Sequence, residues 1–69
     1  MRNLLITRWI AIFDQHCPHY DSGRLADQVE FYVLEAEAGN WDLEEHLQER
    51  LKHFRQYYRK WMLSRLKLN

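Results

Sequence analysis

The sequence predicts an all-α protein: three helices in a single small domain over residues 1–69. Apolar side chains recur at helical spacing in three separate segments, which predicts three amphipathic helices. Pro18 and Gly39 stand between those segments, where helices commonly end. Hydrophobic residues make up 46% of the chain and aromatic residues 14%. Disordered chains are poor in such residues, so we expect this chain to fold.

The first helix is predicted from Asn3 to about His16. Its apolar side chains fall on one side at helical spacing, which indicates an amphipathic N-terminal helix. That side consists of Leu5, Ile6, Trp9, Ile10, Ile12 and Phe13. We expect Asn3 to cap the start of this helix with its side-chain oxygen. Pro18 ends the helix because the residue before a proline is pushed away from helical backbone angles.

The second helix is predicted from Arg24 to Ala38, with Asp21 or Ser22 as its N-cap. Its apolar stripe consists of Leu25, Val29, Tyr32, Val33 and Ala36. We expect Gly39 to adopt the left-handed conformation that often closes a helix. Phe31 and Leu34 lie off the stripe, and the pair indicates either a second contact surface or ordinary exposed side chains.

The third helix is predicted from the cap Asp42 to the C-terminus, and Glu45 completes a capping-box pattern. At 1.5 Å per residue it is about 39 Å long, against about 22 Å for the second helix. The short Gly39–Trp41 link predicts that these two helices form an antiparallel hairpin. The apolar stripe of the long C-terminal helix then continues past its neighbour, and large uncovered apolar patches usually mark interaction sites. The side chains without cover from the second helix are Trp61, Met62, Leu66 and Leu68.

The formal net charge is zero, but the charges are divided along the chain. Residues 1–50 hold all ten acidic side chains and four basic ones, whereas residues 51–69 hold six basic side chains and no acidic one. This division indicates either an acidic partner for the C-terminal segment or pairing between the two halves of the chain. A third interpretation is a basic face that serves only as the solvated exterior of the helix.

The stretch "QHCPHYDSG" at residues 15–23 gathers His16, Cys17 and His19, which are zinc ligands by type. Structural zinc sites usually draw on two separated ligand pairs, and no second pair is present. The stretch also fits a helix end followed by a turn, so we predict no metal and no cofactor.

Cys17 with a histidine has the residue types of nucleophilic catalysis, but nothing indicates an orienting third group, so we predict no enzyme activity.

The longest apolar run, Leu4 to Phe13, is about half the length that a membrane span needs. It also lacks the features of a signal peptide. With a single free cysteine, these observations predict a cytoplasmic protein without a membrane span.

We therefore expect a small non-enzymatic interaction protein, such as an adaptor, regulator or inhibitor. It would bind a protein partner with an acidic surface, or a second copy as a homodimer, through the aromatic and basic end of the third helix. The predicted partner-binding residues are Arg55, Tyr57, Tyr58, Arg59, Lys60, Trp61, Met62 and Leu66. The alternative is a nucleic-acid-binding regulator, because a basic helix face can contact phosphates. Its predicted residues are Lys52, Arg55, Arg59, Lys60 and Lys67.

Overall fold

The computed structural model describes residues 2–67, which form three helices and no strand. Helix α1 spans Arg2–His16, α2 spans Ser22–Gly39 and α3 spans Leu43–Lys67. The all-α fold and the three-helix architecture predicted from the sequence are confirmed. None of these helices combines the length and the apolar character that crossing a membrane would require.

Side-chain caps set the start of two of the helices. The Asp21 carboxylate accepts hydrogen bonds from the backbone N–H groups of Gly23, at 2.8 Å, and Arg24, at 3.2 Å. Asp42 accepts one at 2.9 Å from the N–H of Glu45. Each bond satisfies a donor that has no partner inside its helix.

The predicted cap of α1 is wrong. Asn3 lies inside the helix, which is already helical at Arg2. Half-buried Leu5 and buried Ile6 pack against the core from the first turns. Tertiary packing of this kind supplies most helical stability, so the helix extends through Asn3.

The C-terminus of α2 also differs from the prediction. Gly39 is the last helical residue, and Asn40 takes the left-handed conformation, with φ 56° and ψ 41°. The N–H of Trp41 bonds to the carbonyl of Ala36 at 2.9 Å, and that of Asn40 to the carbonyl of Glu37 at 3.3 Å. These two bonds make a Schellman motif with asparagine in the left-handed position. Gly39 is needed for a different reason, since a Cβ there would lie 2.6 Å from the Trp41 ring.

The core is apolar and lies where the three helices meet. Phe13 is fully buried at its centre, with ring centroids 5.9 Å from Phe54, 6.1 Å from Tyr32 and 6.4 Å from Trp9. The other buried side chains are Ile6, Cys17, Leu25, Val29, Val33, Ala36 and Leu47. No charged side chain is buried among the residues that the structure describes.

Contacts between α2 and α3 advance in opposite directions along the two helices. Glu35, late in α2, lies 3.2 Å from His46, early in α3. Tyr32, one turn earlier, lies under the Arg50 guanidinium at 5.7 Å. Tyr20, just before α2, packs against Trp61 at 4.9 Å between ring centroids. This is the contact pattern of an antiparallel pair.

Helix α3 is the longest element, at about 38 Å against about 27 Å for α2, and it makes the molecule elongated. The extents are 43 × 19 × 14 Å, and the radius of gyration is 12.9 Å, where a compact chain of this length would have about 11 Å. The accessible surface is 5432 Å², against roughly 4,700 Å² for a compact monomer of this mass. The molecule therefore presents more surface than its size requires.

The loop between α1 and α2 covers part of the end of α3. Trp61 was predicted to lack cover from the second helix; the α1–α2 loop covers it instead, because Tyr20 packs on the indole and leaves it only partly exposed. Met62 is also half-buried, whereas Leu66 is 64% exposed, as expected for the end of a projecting helix. Leu68 lies outside the described residues.

Candidate protein-binding surface

Two of the predicted partner-binding residues contribute to the fold itself. The Tyr58 hydroxyl donates a hydrogen bond to the carbonyl oxygen of Pro18. The Trp61 indole stacks on the Tyr58 ring, with centroids 5.8 Å apart and planes at 27°. The Arg65 guanidinium lies 4.8 Å above Trp61 on its outer side. These contacts hold the α1–α2 loop against α3 and leave little of either ring for a partner.

Basic side chains of α3 line a groove of about 470 Å³ beside the end of α1. We call it the basic groove; its lining residues are His16, Lys52, Arg55, Gln56, Tyr58, Arg59 and Met62. The groove lies where α1 ends at His16 while α3 continues to Lys67. Arg55 and Arg59 are both exposed, and one helical turn separates them.

The apolar end of α3 continues the line of the basic groove. Met62 borders the groove, and Leu63 and Leu66 follow it with exposures of 53% and 64%. Steps of three and four residues keep these side chains on one side of a helix. We call this surface the α3 stripe; it consists of Lys52, Arg55, Arg59, Met62, Leu63 and Leu66. Its first half is basic and its second half apolar.

Leu63 was not among the residues predicted from the sequence, because it lies outside the apolar stripe that packs on the core. The signal that could have found it is the spacing from Arg59 to Leu63 and Leu66, which repeats the helical period on the exposed side. Lys52 was predicted only for nucleic acid, but it shares the basic groove with Arg55 and Arg59.

The acidic side chains of α2 do not neutralise the basic groove. Glu35 pairs with Arg50, at 3.8 Å, and bonds to His46, at 3.2 Å. Within the described part of the chain, Lys52, Arg55 and Arg59 form no ion pair, and neither does Lys60. Glu35, His46 and Arg50 all belong to residues 1–50, so these contacts do not join the two halves of the chain. Among the ion pairs of the described residues, His53 with Glu49, at 3.5 Å, joins them. The basic face remains available.

Tyr57 and Lys60 lie on another side of α3 from the stripe. Tyr57 is 52% exposed and lines a second groove, of about 600 Å³, between α2 and α3. The other lining residues are Tyr20, Arg24, Asp27, Gln28, Tyr32, His53 and Phe54. Burial raises the pKa of the Tyr20 phenol, and a hydrogen bond to Tyr57 raises it further. Lys60 is exposed one turn beyond Tyr57, and the side chain of Lys67 lies outside the described residues.

The stretch at residues 15–23 forms a connection between helices. Cys17 is fully buried in the core, and its N–H donates to the carbonyl of Phe13 at 2.9 Å. Burial raises the pKa of the Cys17 thiol, which disfavours the thiolate that a nucleophile or metal ligand requires. His16 and His19 are exposed, and His19 takes a left-handed conformation, with φ 71°. Among residues 2–67 no three His, Cys, Asp or Glu side chains are grouped to hold a metal ion.

Comparison with known proteins found no family model that matches the chain, and no curated protein or solved structure with a significant match. The α3 stripe is therefore described by its own chemistry: two arginines and a lysine beside three apolar side chains on an exposed helix.

Proposed function

We propose that this chain is a non-enzymatic interaction protein, an adaptor, regulator or inhibitor, that binds an acidic protein surface through the α3 stripe. One observation carries the proposal: the basic groove and the exposed leucines adjoin on one side of α3, and the basic groups lack counter-ions within the described residues. Basic groups steer an acidic partner toward the surface, and buried apolar side chains supply most of the binding energy.

Each half of the stripe suits a different part of such an interface. The guanidinium groups of Arg55 and Arg59 can bind carboxylates through two parallel hydrogen bonds each. Met62 adapts its shape to irregular apolar surfaces, and Leu63 and Leu66 supply apolar area. Tyr58 and Trp61 hold the α1–α2 loop against α3, and the Tyr58 ring also lines the basic groove.

The test compares affinity capture from native lysate by the wild type and by two stripe variants, R55E/R59E and L63S/L66S, with mass measurement of the intact complexes. The matched control is R8E/K60E, which makes the same change in net charge at exposed positions away from the stripe. Circular dichroism verifies that all variants keep their helices. Loss of the captured partner in both stripe variants, but not in the control, supports the proposal. Retention of the partner by both stripe variants refutes it.

A second candidate function is nucleic-acid binding, favoured by one observation: Lys52, Arg55 and Arg59 line the same groove. Of the other two residues predicted for nucleic acid, Lys60 lies on another side of α3, and the side chain of Lys67 lies outside the described residues. Three phosphate contacts to duplex DNA predict a log–log salt slope of about −2.7. The acidic remainder of the chain opposes binding at long range. Failure of the wild type to retain any duplex or single strand at low salt would remove this candidate.

We further propose that the protein works in the cytoplasm. The support is the chemistry of its single cysteine. Cys17 is a free thiol in the core, which is compatible with a reducing compartment.

A further inference from the structure

The outer face of α2 exposes apolar side chains on the side opposite the core. Phe31 is 55% exposed and Leu34 is 53% exposed, and Ala38 follows them on the same side. The buried residues of α2 point the other way. Two large exposed apolar side chains on adjoining turns exceed what the solvated side of a small helix needs, so this face has the character of an interface.

Acidic side chains border these apolar residues. Asp27 precedes Phe31 by one turn, and Glu30 lies beside them; both are exposed. Neither forms an ion pair within the described part of the chain. We call this surface the α2 face; it consists of Asp27, Glu30, Phe31, Leu34 and Ala38. It is acidic toward the start of α2 and apolar toward its end.

We propose that the α2 face of one copy binds the α3 stripe of a second copy. This inference rests on the proposed function of the α3 stripe and names its partner. The two surfaces are complementary in charge and in order. From N- to C-terminus the α2 face is acidic and then apolar, and the α3 stripe is basic and then apolar.

The dimensions of the two surfaces also agree. Asp27 to Ala38 and Arg55 to Leu66 are each about 16 Å long at the helical rise. Side by side and parallel, the two helices place Asp27 near Arg55, and Leu34 near Met62. The same register brings the Arg59 guanidinium to the Phe31 ring, a cation–π contact.

One copy cannot make this contact within itself. Phe31, Leu34 and Ala38 lie opposite the buried residues of α2, and Asp27 borders the groove between α2 and α3. The α3 side of that groove carries Tyr57, whereas the stripe lies on another side of α3. A contact between two different surfaces is heterologous, so in a bound pair one copy keeps its α3 stripe free and the other keeps its α2 face free. Assembly therefore grows with concentration instead of stopping at a symmetric dimer.

The test uses sedimentation velocity on the full chain over a concentration series. Wild type is expected to associate as its concentration rises. The α2-face variant F31S/L34S and the stripe variant R55E/R59E should each weaken association by about tenfold or more. The control R8E/K60E should associate like wild type. Circular dichroism again verifies the fold.

An equimolar mixture of F31S/L34S and R55E/R59E distinguishes a contact between the α2 face and the α3 stripe from a symmetric contact between identical surfaces. The first variant keeps its stripe and the second keeps its α2 face, so the mixture should form a one-to-one pair that does not grow further. A mixture that stays monomeric while wild type associates overturns the proposal in favour of a symmetric contact. A wild type that stays monomeric at every concentration also overturns it. In that case, loss of the captured partner by R55E/R59E would still support the proposed function of the stripe.

Discussion

The hydroxyl of Tyr58 donates a hydrogen bond to the carbonyl oxygen of Pro18, forty positions earlier in the chain. This bond ties the α1–α2 loop to α3 at the point where α1 has ended. In the same loop Tyr20 packs on Trp61 of α3, with ring centroids 4.9 Å apart.

Replacing Tyr58 by phenylalanine should lower the free energy of unfolding by about 0.5–1 kcal/mol, because the carbonyl oxygen of Pro18 loses its donor and the bond is partly exposed to water. Y58L should lower the free energy of unfolding further, since it also removes the ring that stacks on Trp61. Urea denaturation followed by circular dichroism measures both values. An unchanged midpoint for Y58F would mean that the hydrogen bond adds nothing in solution.

Asn40 is the residue with the left-handed backbone conformation at the end of α2. N40A should lower the free energy of unfolding by about 1 kcal/mol, because a Cβ without a compensating polar group disfavours that conformation. N40G should keep or raise stability, since glycine adopts it freely. Thermal and urea denaturation of the pair provide the measurement. Equal losses of unfolding free energy in N40A and N40G would contradict the left-handed conformation of Asn40.

Gly39 and Trp41 should be energetically coupled. Alanine in a helix normally stabilises by about 0.5–1 kcal/mol relative to glycine, but at position 39 its Cβ would lie 2.6 Å from the Trp41 ring. The ring must then move and lose its contact with His46, whose ring centroid is 5.0 Å away.

A double-mutant cycle tests this coupling with wild type, G39A, W41A and G39A/W41A. G39A should stabilise the W41A background and leave the wild-type background unchanged or weakened. The same gain in both backgrounds would show that the two side chains do not compete for space.

The stability of the protein should fall with pH where Cys17 titrates. Burial raises the pKa of this thiol above its ordinary value of 9.0, so the folded state holds the proton more tightly than the unfolded state. The resulting contribution is complete below about pH 9 and decreases as pH rises through the folded-state pKa.

C17A removes this contribution, and the small cavity that it leaves should cost about 1 kcal/mol near neutral pH. The difference in unfolding free energy between wild type and C17A should therefore narrow above about pH 9. Burial also raises the pKa values of Tyr20 and Tyr32, but both proteins share that effect. Parallel pH profiles for the two proteins would refute the role of Cys17.

Much of the fold follows from local chemistry that is visible in the sequence. The caps Asp21 and Asp42 bond to N–H groups two or three residues away, and Pro18 acts on its immediate neighbours. Asn3 and Gly39 are the local errors. At Asn3, packing of the first helical turns against the core outweighed a capping preference read from neighbouring residues. At Gly39 the left-handed conformation moved one residue on, to Asn40, and the ring of Trp41 packs against the glycine.

The residues of the candidate surface could be predicted from the sequence less completely than the helices. The sequence indicated the basic and apolar end of α3, including Arg55, Arg59, Met62 and Leu66. It could not show that Tyr20 would cover Trp61, or that the side of α3 that carries Leu63 would stay exposed. The sequence by itself determined where the helices lie and how charge is divided, because hydrogen bonds and helical period act over a few residues. Only the tertiary structure decided which side of α3 stays uncovered, because that depends on where α1 ends and how its loop folds back across forty residues of chain.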